Sequence, residues 1–243
     1  TLMELLVAGL DDTHSFTYDD GSYKDFERWY GITYSNESVT NIWWFYNTLQ
    51  VDKPVNRGGS IDLRWIPGTV MYCNIAGLQL IGTVETIDLP RCLQTLRIDK
   101  NRFSGTFCVE NLPHALTWID MEFNEFSGSL QLNSLPPGLT RLRASHNKFS
   151  GTLDLTTLPD TLNNLSIDHN SFEGTVNLEH LPDALVLIEI YENRLQQDKI
   201  RLPSRSNGQS QIWIQMESFS RILDENGNER KWTLRKKHLE VHF

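Results

Sequence analysis

Cysteine is scarce in this chain of 243 residues, with Cys73, Cys92 and Cys108 as the whole set. Three thiols, an odd number and clustered, exclude a disulfide framework and fit a reducing compartment better than a secreted one, so a cytoplasmic location is expected. Long apolar runs are missing too. No stretch approaches the roughly 18 residues a membrane-spanning helix needs, so membrane insertion is not expected. Basic residues are outnumbered, 22 Lys and Arg against 31 Asp and Glu, which gives a net charge of -9 and argues against a general nucleic-acid binder. The deficit is uneven: residues 198–243 carry nine basic and six acidic side chains, a mildly basic end on an acidic body. Disorder is excluded by a hydrophobic content of 39% with seven Trp and eleven Phe.

What the chain does have is a repeat. Gly82, Gly105, Gly128, Gly151 and Gly174 are spaced 23 residues apart. Pro67, Pro90, Pro113, Pro136, Pro159 and Pro182 keep the same step, always as Leu-Pro or Ile-Pro. Asn101, Asn124, Asn147, Asn170 and Asn193 keep it as well. One unit runs from Leu139 to Thr161 as L-x-x-L-x-x-x-x-N-x-F-S-G-x-L-x-L-x-x-L-P-x-x, with Ala144 between the second leucine and the asparagine. A fixed period in the twenties marks a solenoid.

These motifs resemble leucine-rich-repeat proteins over nearly all of the chain. Asn147-Lys-Phe-Ser-Gly151 is similar to the plant-receptor subtype, while the Leu158-Pro-Asp-Thr-Leu162 joint resembles repeats of protist proteins, trypanosomatid ones included. The resemblance implies a right-handed parallel β-solenoid, a horseshoe of strands and loops with little helix, capped at both ends, whose Asn side chains form a buried ladder.

The residues support that reading on their own. Leu139, Leu142 and Ala144 alternate inward on a short strand that stacks in parallel on its counterparts. Phe149 fills the interior and Gly151 permits a tight bend. Leu153 and Leu155, two apart, predict a second short strand on the opposite side, and Pro159 ends pairing before the next unit. Strand leaders at 39, 70, 93, 116, 139, 162, 185 and about 209 make eight units, with an insertion near 50–57. The expected domains are an N-terminal cap over 1–38 that opens on a short amphipathic helix, the array over 39–223, and a closing hairpin and tail over 224–243. In that hairpin Ile222-Leu223 and Trp232-Thr-Leu234 flank a turn at 224–228.

Candidate chemistry is thin. His146 and His169 share a phase one repeat apart and lie beside Asp168, which invites comparison with a zinc site. Two solvated side chains that share a phase because the repeat does are the expected reading, and neither metal nor cofactor is expected. Ser145, His146 and Asp168 lack the glycine elbow and oxyanion loop of a nucleophilic site, so no enzyme is expected. Asn36-Glu-Ser38 and Asn164-Leu-Ser166 match the glycosylation pattern and are taken as accidental.

A surface remains. Residues between the inward positions project from the concave sheet in rows, among them Trp118, Arg141, Asn164 and Leu187, and Arg97, Asp120, Arg143, Ser166, Glu189 and Trp213. Core packing does not require Trp118, Phe123, Tyr191 or Trp213 there, and exposed aromatics among Arg and Asp match protein-binding hot spots. The expected partner-binding residues are Trp118, Asp120, Glu122, Phe123, Arg141, Arg143, Arg97, Tyr191 and Trp213. Trp43, Phe45 and Tyr46 are instead expected to pack against the N-terminal cap. The expected function is a non-enzymatic protein-interaction module, monomeric unless held in an assembly. The alternatives are the recognition region of a larger receptor or signalling enzyme, or a structural subunit of a large assembly.

Overall fold

The computed structural model describes residues 1–45, 57–201, 211–215, 219–224, 226–229, 233–235 and 238–242, with the backbone course alone at 211–215, 219–220, 222, 233–235 and 238–242. The insertion expected near 50–57 therefore lies, except for Arg57, outside the described residues, as does Tyr46.

Leucine-type positions set the path. Leu139, Leu142 and Ala144 are fully buried, and so are their equivalents one repeat away on either side, Leu116, Ile119 and Met121, and Leu162, Leu165 and Ile167. Each such triplet carries a short strand. Eight of them, Ser38–Trp43, Tyr72–Asn74, Thr95–Arg97, Trp118–Asp120, Arg141–Arg143, Asn164–Ser166, Leu187–Glu189 and Gln211–Gln215, pair in parallel in that order. The register between neighbours is one repeat: Trp118 faces Arg141 and Arg141 faces Asn164. Antiparallel strands close both edges and bring the sheet to eleven strands. At the first edge Ile32–Ser35 pairs with Ser38–Trp43 across a turn in which Asn36 and Glu37 are both left-handed. At the other, His238–His242 pairs with Gln211–Gln215 and then with Thr233–Arg235.

The closing hairpin is thus built from 233–235 and 238–242 rather than from 222–223 and 232–234. Phe219–Leu223 is drawn away to pair in parallel with Gln197–Arg201, and among the described residues the turn after it closes one bridge, Leu223 to Glu229.

The second sheet corrects another expectation. It has six parallel strands, Ile81–Gly82, Arg102–Gly105, Glu125–Gly128, Lys148–Thr152, Ser171–Gly174 and Arg194–Leu195. These strands lie on the Asn-x-Phe-Ser-Gly segment, not on Leu153 and Leu155, which are buried but carry no strand. In the first five of these the glycine takes a positive φ (+84° at Gly151), which turns the chain off the sheet before the leucine pair arrives. The Leu-Pro joint then folds as a turn in which the proline carbonyl accepts the amide of the next leader, as Pro136 does from Leu139 at 3.0 Å.

Two ladders hold the turns together. Phe103, Phe126, Phe149 and Phe172 stack face to face at 6.1–6.3 Å, all fully buried. Beside them Asn147 accepts the Phe126 amide at 3.1 Å and donates to the carbonyls of Met121, Ala144 and Ser145 at 2.9–3.2 Å. Asn101, Asn124, Asn170 and Asn193 repeat the arrangement.

Helix is as sparse as expected. Among the described residues the one α-helix is Leu2–Val7, capped reciprocally by Thr1 and Glu4, with Met3, Leu6 and Val7 turned onto the end of the core.

Candidate functional site

The outer face of the eleven-stranded sheet is a grid whose columns the repeat fixes. Thr95, Trp118, Arg141, Asn164 and Leu187 form one column, and Arg97, Asp120, Arg143, Ser166 and Glu189 the next. Backbone pairing continues past the strands, since the amides of Lys100, Phe123, His146 and His169 donate to the carbonyls of Glu122, Ser145, Asp168 and Tyr191 at 2.8–3.1 Å. That holds a third column, Asp99, Glu122, Ser145, Asp168 and Tyr191. A fourth contains Lys100, Phe123, His146, His169 and Glu192, each left-handed with φ of 49–55°. A non-glycine residue pays for that conformation; the Asn side chains one residue on, bonded to their own turn and the preceding one, keep it in place.

The expected partner-binding residues whose side chains are described divide into two layers. Asp120 and Glu122 are not exposed: they are 0% and 7% accessible. Strand alternation points them off the sheet as expected, but the Arg143 guanidinium from the next repeat lies over both, with Nη1 3.2 Å from Asp120 Oδ2 and Nη2 2.6 Å from Glu122 Oε2. Arg97 approaches Asp120 from the other side at 3.8 Å and Asp99 at 3.5 Å. Burial raises the carboxyl pKa of Asp120, with Asp99 adding to it, and the two arginines only partly offset this. Burial likewise pushes Glu122 up to about 7 despite Arg143.

Above this ionic layer lies the second. The Trp118 ring sits between two guanidiniums, Arg97 at 5.0 Å and Arg141 at 5.4 Å from its centroid. Among the described residues the buried side-chain nitrogens without a hydrogen-bond partner are Trp118 Nε1 and Arg97 Nε. Arg141 is exposed, and Phe123 is 46% exposed. Phe123 stacks on His146 at 4.1 Å, His146 on His169 at 4.0 Å, and His169 meets the Tyr191 ring edge-on at 5.3 Å. Trp213 stands in the register of Asp120 and Arg143, facing Glu189, but its side chain lies outside the described residues.

Two readings of single residues change. His146 and His169 are a stacked, half-buried pair rather than two solvated rings, because the left-handed turn directs both along one column. Burial, and then the neighbouring His169, lowers the His146 pKa. Trp43 and Phe45 do not pack into the cap: they are 36% and 38% exposed, Trp43 stacking on Tyr72, while Trp44 takes the buried place among Phe16 and Trp29.

The polar cluster around Asp168 escapes strand-alternation reasoning. Asp168, 3% exposed, accepts from Ser145 Oγ and lies 2.7 Å from His169 Nδ1, and burial followed by Asp168 raises the Tyr191 hydroxyl pKa. The carboxylate lies between serine and imidazole, so the imidazole is not placed to take the serine proton as a nucleophilic relay requires. Of the two glycosylation patterns, Asn36 is exposed at the hairpin turn and Asn164 is half-buried within the grid.

No protein-family model and no curated protein matches the chain. Solved structures do. The chain is similar to Pollen Receptor Kinase 3, at 19% identity and a TM-score of 0.55 over 90% of this chain and 92% of that one. It is similar to the leucine-rich-repeat ectodomain of the Arabidopsis thaliana membrane receptor kinase GASSHO1/SCHENGEN3, solved with CASPARIAN STRIP INTEGRITY FACTOR 2, at 16% identity and 0.55, covering 88% of this chain and 29% of that one. It is also similar to the plant peptide hormone receptor RGFR1 in complex with RGF2, at 25% and 0.51, covering 69% and 26%. The chain therefore spans less than a third of the last two. Together with the spacing of the turns, the likeness shows the fold to be that of the leucine-rich-repeat solenoids.

Proposed function

We propose that this leucine-rich-repeat solenoid is a protein-interaction module that takes a partner protein or peptide on the outer face of its long sheet. The observation that supports this most directly is the aromatic and guanidinium layer of half-buried Trp118 with exposed Arg141 and Phe123. The core does not use it, and the ion pairs of Asp120, Glu122 and Arg143 hold it from below. Trp and Arg on a rigid base contribute most to affinity when a partner covers them.

The neighbours named as receptors with a peptide hormone or another protein factor support a protein or peptide as partner class. They also support a recognition role within a larger receptor, which the complete reading frame tests. They lend no support to the cytoplasmic location expected from the cysteines. No helix among the described residues is long and apolar enough to cross a membrane. A non-enzymatic role rests on the order of Ser145, Asp168 and His169 and on the lack of any glycine elbow.

Affinity capture from the native source followed by mass spectrometry supplies the partner. Trp118→Ala and Arg141→Ala should then each weaken binding by about 2 kcal/mol with little change in thermal stability. Arg143→Ala should act chiefly on stability, because it uncovers two buried carboxylates. Full affinity in Trp118→Ala and Arg141→Ala would move the binding site elsewhere, with the exposed Trp43 and Phe45 as the next surface to test.

A further inference from the structure

We propose that His146, His169 and Asp168 form a binding site for a divalent transition-metal ion such as zinc. The three side chains come from two adjacent turns, and each offers one donor atom, all within 4.8 Å of one another. Two imidazoles and a carboxylate are a donor set that zinc, cobalt and nickel accept. Bonds of about 2.0–2.2 Å place two ligand atoms of one ion about 3.3 Å apart, so the His146 donor moves in by roughly an ångström, within reach of side-chain rotation, while Asp168 Oδ2 and His169 Nδ1, 2.7 Å apart, open slightly.

Two further observations point to a cation here. Asp168 is almost fully buried, yet among the described residues its one ion-pair partner is His169, with no lysine or arginine over it. This contrasts with Glu122, two repeats away in the same column, and Asp120 in the adjacent column, which share Arg143. The cluster is also built rather than incidental. Ser145 donates to the second oxygen of Asp168, Phe123 flanks His146, and Tyr191 flanks His169, so the donors are fixed from both sides. Such outer partners orient the ligands of metal sites.

Metal bonds to Asp168 Oδ2 and His169 Nδ1 replace the hydrogen bond between them: a neutral His169 ring carries its proton on Nε2 in the bound state, and an imidazolium gives up its Nδ1 proton to solvent. His146 supplies the third bond from the exposed side. The remaining coordination positions face solvent, because both rings are half-exposed. They would be filled by water or by a donor from whatever covers the face.

The test uses the full chain, freed of metal by a chelator and titrated with zinc by calorimetry and with cobalt by visible absorption. Saturable uptake of one ion per chain is expected, with cobalt bands characteristic of nitrogen and oxygen ligands. His146→Ala and His169→Ala should each weaken uptake by about 10–100-fold, and His114→Ala and His180→Ala, both exposed and remote in phase, should leave it unchanged. Asp168→Asn should weaken it comparably; circular dichroism shows whether that variant keeps its fold, and His146→Ala, which removes no hydrogen bond, carries the test if it does not. Absence of saturable uptake at millimolar zinc, or unchanged affinity in His146→Ala, would overturn the proposal. The outcome is independent of whether Trp118 and Arg141 bind a partner.

Discussion

At the scale of single residues, the balance is between direction and cover. Glu122 points off the sheet, yet Arg143 and the neighbouring turns remove it from water, and its pKa of about 7 means that burial outweighs the ion pair. The folded chain therefore holds a proton on Glu122 that the unfolded chain, titrating near its ordinary 4.5, has already lost. Stability from this group is fully present below 4.5 and declines as pH rises toward 7, by at most about 3 kcal/mol. Glu122→Gln should flatten that decline. Relative to the parent it should gain stability at pH 8 compared with pH 4.5, read from urea midpoints. Parallel pH profiles would show that the carboxylate is solvated or fully compensated. Asp99, Asp120 and Asp168 act on Glu122 in the same direction and Arg143 against it, so the single substitution is read against that fixed background. The asparagine ladder offers the opposite case, a polar group whose bonds are all made. Asn147→Ala leaves the Phe126 amide and up to three carbonyls without their partner and should cost about 1–3 kcal/mol. Asn133→Ala, exposed on a surface turn, should cost almost nothing.

At the scale of the element, the period made the first strand legible and left the second ambiguous. Inward Leu139, Leu142 and Ala144 sit where alternation puts them, and the eight parallel strands follow the leaders counted from the sequence. For the return side, Phe149 and Gly151 and the pair Leu153 and Leu155 both satisfy a period of two, and pattern alone does not separate them. The left-handed glycine separates them by ending the strand at Thr152. The candidate site was legible in the same partial way: columns follow from the period, whereas the covering of Asp120 depends on how an arginine 23 residues later reclines, which alternation does not encode. Glycine's role is testable. Gly128 has a φ of +81°, and a methyl there would meet Thr106 Cγ2 at 3.0 Å. Gly128→Ala should cost about 1–2 kcal/mol, or more if Thr106 does not yield. Gly138→Ala, with open space around it, should be within about 0.5 kcal/mol of neutral or slightly stabilising. Equal effects would remove the left-handed bend as the reason for the repeated glycine.

At the scale of the whole molecule, each turn rests on the turns before and after it, with aromatic and asparagine contacts reaching one repeat in either direction. Stability is then a sum of turn energies and nearest-neighbour interfaces, and cooperativity is only as strong as the weakest interface. The phenylalanine stack makes this specific. Phe126 contacts Phe103, Phe107 and Phe149, whereas Phe172 has Phe149 as its one aromatic neighbour among the described residues. Truncation of a buried phenylalanine costs about 3–5 kcal/mol, with the higher end where more neighbours lose contact. Phe126→Ala should therefore destabilise more than Phe172→Ala. It should also weaken two interfaces in mid-array and let the two halves unfold out of step. The tryptophans allow this to be seen, because Trp29, Trp43, Trp44 and Trp65 all precede the lesion, and Trp29 and Trp44 are buried in the first turns. Trp118 adjoins the lesion and Trp213 and Trp232 follow it, so with four of seven tryptophans in the first turns intrinsic fluorescence is weighted toward the N-terminal side, while circular dichroism reports on the sheets as a whole. In urea the two signals should coincide for the parent chain and separate for Phe126→Ala, with a shallower dichroism transition. Coincident curves for the variant, shifted but equally steep, would mean that the caps and both sheets couple the turns into one cooperative unit that a single broken interface does not divide.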